Sequence, residues 1–127
     1  MTILFHAHSG LRYLVLLVAL IAVAWFLWGW LAKRPFERPG RIVMGVYVGL
    51  VDLQVLIGLV LFFAGRRPPG IHGHMGLMIL AAVVLHVASA ISKRKEGPAR
   101  HGLPLAGSLL AATMIVAGIL AIRDSLL

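Results

Sequence analysis

The sequence predicts an all-α integral membrane protein, an up-down-up-down four-helix bundle with an internal two-helix pseudo-repeat. Three observations predict it. The 127-residue chain is 61% hydrophobic and only 13% charged, more apolar surface than a soluble domain of this size can bury, so its solvent is lipid. Four apolar stretches, residues 13–32, 42–64, 71–92 and 103–122, each reach the roughly 20 residues needed to cross a hydrocarbon core. The segment His6-Ala7-His8-Ser9-Gly10-Leu11 recurs as His72-Gly73-His74-Met75-Gly76-Leu77, each copy leading into a membrane-length run. Little sequence lies outside the spans, so residues 1–127 form a single transmembrane domain.

The first span is expected to carry Trp25, Trp28 and Trp30 toward its far end, and the second to close on Phe62 and Phe63, as interface anchors. The second span holds Gly45 and Gly49 at small-xxx-small spacing and Gly58 further along, which suits close helix packing or room for a flat cofactor. It also carries the one formal charge expected within the four stretches, Asp52, next to Gln54. The third span opens on the second histidine motif and carries His86 deep in its length. The connections, 33–41, 65–70 and 93–102, are short, making successive helices antiparallel neighbours. Pro35, Pro39, Pro68, Pro69 and Pro98 all fall in these links, where a missing N–H costs least. No cleavable leader is expected, because the first span lacks a basic start and a small-residue cleavage site.

The net charge of +8 sits at the ends of the spans. Lys33, Arg34, Arg38 and Arg41 flank the first link, and Lys93, Arg94, Lys95 and Arg100 occupy the third. The opposite side holds Arg12, Arg66, Arg67 and Arg123. The positive-inside rule then places the first and third links in the cytoplasm and both termini outside; the expected setting is a bacterial inner membrane. The basic residues serve topology and anionic lipid rather than nucleic acid. With no cysteine in the chain, disulfides, thiolate metal sites and covalent c-type haem attachment are excluded.

Both histidine motifs then lie at one membrane face, and the duplication relates helices in parallel, about an axis along the membrane normal. The first and third helices are diagonal in an up-down bundle, on the order of 12–14 Å apart if adjacent axes are 8–10 Å apart. Two inward imidazoles, each about 2 Å from a shared metal, fill that gap. Residues two apart on a helix point about 200° apart, so only one histidine of each motif can face the centre. His8 and His74 lie deeper in their segments and are the candidate ligands of a haem iron. Arg12, four residues after His8 and on its face, is a candidate partner for haem propionates, with Arg66 and Arg67. If the motif segments are extended instead, His6, His8, His72 and His74 share a face and could hold one copper or zinc ion, with Met75 as a soft ligand. A third possibility is a cofactor-free assembly subunit whose histidines touch only lipid or a neighbour.

Three polar groups lie deeper. Asp52, Gln54 and His86 are expected to face inward, as ionisable groups in membranes do. His86 is about 18 Å beyond His74 and rotated by roughly 120°, so it cannot share the same iron. It could pair with Asp52, line a quinone pocket or carry protons. His101, in a basic link, is expected to serve only the interface.

The opening His8-Ser9-Gly10-Leu11, the run Leu53-Gln54-Val55-Leu56-Ile57-Gly58 and His74 heading the third helix resemble one half of the haem A synthase family. More loosely, they resemble four-helix b-type cytochromes. The resemblance covers about the first three helices and implies that His8 and His74 are axial haem ligands. Phe5 and Ile71 stand where that family has a catalytic glutamate, and Ser9 and Met75 where it has an arginine. What the resemblance carries over is a haem-binding scaffold without methyl hydroxylation. The expectation is a membrane electron-transfer protein holding one bis-histidine haem b near the outer face. It would exchange electrons with quinone, as a homodimer or as a subunit of a respiratory or photosynthetic complex.

Overall fold

The computed structural model describes residues 2–34, 38–92 and 101–123. Four helices run through them: α1 (Thr2–Leu31), α2 (Arg38–Phe63), α3 (Ile71–Ser92) and α4 (Gly102–Leu120). All four are long and apolar enough to cross a membrane, and they form an all-α four-helix bundle. Each helix packs on its sequence neighbours and α4 returns to α1, while the diagonal pairs barely touch. The expected ring of antiparallel helices is therefore present.

The boundaries differ from the hydropathy reading in informative places. Helix α1 begins at Thr2 rather than residue 13, so the first histidine motif is already helical and Arg12 lies inside the helix. The helices extend beyond the apolar stretches and so carry charges besides Asp52: Arg12 in α1, and Arg38 and Arg41 in α2. Helix α2 begins at Arg38, placing Pro39 in its first turn, where proline lacks only an N–H that would be unpaired anyway. The third helix matches its expected span, residue for residue. Pro35 and Pro98, and the charges Lys93, Arg94, Lys95 and Arg100, lie outside the described residues.

The buried positions follow a period near 3.5. On α1 they are Arg12, Val15, Ala19, Ala22, Phe26 and Gly29, and on α3 Met78, Ala81, Leu85, Ala88 and Ser92. Alternating steps of three and four give a seam that suits gently left-handed helix crossing. Small residues dominate it because the lipid is as apolar as leucine, so close packing rather than hydrophobic transfer selects the inner face. At Gly107 of α4 an added Cβ would strike the Ala88 Cβ of α3. At the centre the fully buried Tyr47 of α2 crosses the bundle to donate its hydroxyl to the Ser108 carbonyl of α4, at 3.2 Å.

The link between α2 and α3 is fixed by Gly70. Its φ of +82° is a left-handed conformation, and an added Cβ would collide with the Ala121 carbonyl oxygen. This ties the α2–α3 turn to the end of α4. His101 also departs from expectation. It is 2% exposed, against the ring of Phe26 and in a notch left by Gly29, where any side chain would meet its imidazole.

Replacing Gly107 with isoleucine should destabilise the bundle by about 1–3 kcal/mol through overpacking. Gly10→Ala, which meets no atom within 4 Å, should leave stability unchanged or slightly raised. Thermal unfolding in detergent micelles, followed by circular dichroism, checks both.

Candidate functional site

Because α1 and α3 run parallel on the diagonal, the second turn of α1 and the start of α3 meet at one end of the bundle. His8 and His74 face each other there, with ring centroids 6.4 Å apart and ring planes at 86°. These are the two residues the sequence singled out, and both are half-buried. His6 and His72 are exposed and lie beside Phe5 and Phe62 instead. The helical starts separate each motif's two histidines. Among the described residues no group of three or more histidine or carboxylate side chains comes together to hold a metal ion. The four-imidazole copper or zinc site is therefore not assembled.

Neighbouring helices fix the two rings. His74 Nδ1 lies 2.8 Å from the Gly118 carbonyl oxygen of α4. A carbonyl only accepts, so Nδ1 carries the proton and Nε2 of the neutral ring keeps its lone pair. Gly118 permits this approach by having no side chain, since a Cβ there would lie 3.1 Å from Met78 Sδ and 3.6 Å from the His74 carbonyl oxygen. On the other side, Gln54 of α2 donates from Nε2 to the His8 carbonyl at 2.9 Å. Gly58, one turn further along α2, makes room for the His8 ring, with Cε1 3.2 Å from where a Cβ would stand.

A cavity of about 370 Å³ opens beside the pair toward α2 and α3, lined by Val55, Leu59, Ile79, Arg66 and Arg67 among others. A smaller one of about 70 Å³ opens on the other side, toward Ile115 and Ile119 of α4. His8, His74, Gln54 and Met78 border both. The imidazoles thus stand between two apolar spaces, and the larger lies within the roughly 300–1,000 Å³ range of small-molecule sites.

Arg12 is 7% exposed and borders the smaller cavity. Its Nη1 donates to Ser9 Oγ at 3.0 Å and its Nη2 to Tyr13 Oη at 2.7 Å. Its Nε and Gln54 Oε1 are buried without a hydrogen-bond partner, and His8 Nδ1 makes no hydrogen bond of good geometry. Buried polar atoms are normally satisfied. All three atoms belong to residues lining the smaller cavity. Arg66 and Arg67 stack over Phe5 and Phe62, with guanidinium-to-ring distances of 3.6 and 4.4 Å.

Asp52 and His86 are elsewhere. They pair with each other at 2.7 Å, as one sequence reading allowed, but on the outside of the bundle, with side chains 44% and 57% exposed. The expectation that they face inward is corrected. Gly45 and Gly49 are also outward, with no atom within 4 Å of an added Cβ, so they pack against nothing in the chain.

Sequence reasoning missed the Gly118 carbonyl, a backbone group that no side-chain pattern announces. It noted Gln54 without its task. No family model, curated protein or solved structure matches the chain, and its function is read from its own residues.

The geometry predicts that neutral His74 is the Nδ1–H tautomer. Long-range proton–nitrogen NMR of the imidazole should show this form, and Gly118→Leu should mix the tautomers.

Proposed function

We propose that the chain is a small b-type cytochrome that holds one haem b between His8 and His74 and transfers electrons within the membrane. The observation that carries this reading is the pair of facing imidazoles. Metal–nitrogen bonds of about 2 Å, plus about 1 Å from nitrogen to ring centre on each side, put two axial imidazoles roughly 6 Å apart. The separation here is 6.4 Å, with apolar space on both sides. His74 already has the orientation common to metal-bound histidine, with its second nitrogen held by a carbonyl.

Each residue has a task in this reading. His8 and His74 would hold the iron through one ring nitrogen each, which suits electron transfer rather than oxygen chemistry. The Gly118 carbonyl sets the orientation of the His74 ring, while Gln54 anchors the His8 backbone. Gly58 keeps the face beside His8 open, and Val55, Leu59 and Ile79 exclude water. Arg12, or Arg66 and Arg67 from the larger cavity, would meet the haem propionates. When bound, haem supplies one-electron redox chemistry whose potential its ligands and burial tune. Membrane quinone is the proposed exchange partner, in a homodimer or a larger respiratory or photosynthetic complex. The proposed setting is a bacterial inner membrane with both termini outside. The histidine-led helices are those that resemble the haem A synthase family.

Titration with haemin tests the proposal. The expected result is one haem per chain with a six-coordinate low-spin Soret spectrum, lost in His8→Ala and in His74→Ala. His6→Ala and His72→Ala should bind as the parent does. A protein that takes up no haem, or binds it unchanged without His8 and His74, would overturn the assignment. Stoichiometric copper or zinc without porphyrin, or a colourless chain that purifies only with a larger complex, would favour the other two readings.

Arg12→Gln should weaken haem binding by about 10–100-fold, the range for a buried hydrogen bond to a charged group. The same substitution should hardly change affinity for haem dimethyl ester, which has no carboxylate to meet.

A further inference from the structure

The outward pair on α2 and α3 has no counterpart in the site just described. Asp52 lies near the middle of α2 and His86 well inside α3, at depths where ionisable groups face the interior of a bundle or a water-filled cavity. Here they face away from the bundle, half-exposed. Hydrocarbon cannot hydrate either group, so another surface must cover them.

We propose that the α2–α3 face is a symmetric interface with a second copy of this chain. The face is self-complementary. It carries an acceptor, Asp52, and a donor, His86, side by side, and a two-fold axis through it would bring each protomer's carboxylate toward the other's imidazole. Gly45, Gly49, Asp52 and Leu56 follow one another at steps of four, three and four, and so form one stripe of α2. Both glycines meet no atom within 4 Å, which lets a second backbone approach closely in the small-xxx-small manner. The flanking Leu56 and Val83 are 59% and 51% exposed, apolar enough to seal the polar pair from lipid. A closed two-fold contact pairs every polar group with one of opposite character and leaves none facing lipid. The proposal does not rest on haem binding, because the interface lies on the outer surface and the histidine pair within the bundle.

Single-cysteine variants test it without background, since the chain has no cysteine. In membranes, a short bis-maleimide should cross-link Leu56→Cys and Val83→Cys into dimers, but not Leu20→Cys on α1 or Leu110→Cys on α4. Light scattering in detergent should give a dimer for the parent chain. Gly49→Ile should weaken self-association on the order of tenfold with unchanged helix content. His86→Leu should weaken it too, and the exchange Asp52→His with His86→Asp should restore it. A monomeric parent, cross-linking that ignores the face, or a Gly49→Ile dimer as tight as the parent would overturn the proposal. So would protection of Leu56→Cys from maleimide only on adding a quinone analogue, which would assign the face to a small lipid-soluble ligand.

Discussion

Hydrocarbon offers no hydrogen bond, and that constraint organises this protein. A polar group within the bilayer must find its partner in the chain, in a ligand or in another copy. Tyr47 spans the bundle to reach the Ser108 carbonyl. Gln54 donates to the His8 carbonyl, and His74 to the Gly118 carbonyl. Each bond joins different helices, so satisfying the polar group also sets the relative position of two helices. The same constraint gives meaning to the exceptions. Arg12 Nε and Gln54 Oε1 are buried and unmatched, in residues that line the smaller cavity. Asp52 and His86, matched only with each other, lie on an uncovered face.

The diagonal arrangement converts a short duplicated motif into a site. In a bundle of alternating direction, the first and third helices begin at the same membrane face and lie on the diagonal. Side chains on their inner faces meet across the axis, while α2 and α4 provide the walls. Small residues tune this geometry. Gly118 brings α4 close enough for its carbonyl to hold His74, and Gly58 keeps α2 from filling the space beside His8. The site is thus formed by all four helices, although only two carry its reactive groups.

Much of this was legible in the sequence. Hydropathy gave four spans, link lengths gave the ring order, and the repeat with helical spacing selected His8 and His74 over His6 and His72. What remained hidden has a common physical cause. In lipid, both faces of a helix are apolar, so hydrophobicity does not say which way a residue points. Gly45 and Gly49 read as close helix packing or cofactor space, without a direction, and they face outward. Asp52 and His86 read as inward-facing and instead lie at the surface. The start of α1 was misplaced because hydropathy measures lipid solubility, whereas the helix extends from Thr2, ahead of its apolar core. His101, in a basic link, gave no sign of its notch at Gly29, because that contact joins residues far apart in sequence.

The central claim is that His8 and His74 share one iron. Low-temperature electron paramagnetic resonance of the ferric, haem-loaded protein tests it most directly, because the signal reports both axial ligands and the angle between their planes. With rings at 86°, the account predicts one low-spin iron per chain with the strongly anisotropic signal of near-perpendicular imidazoles. A high-spin signal from iron with one or no imidazole would contradict it.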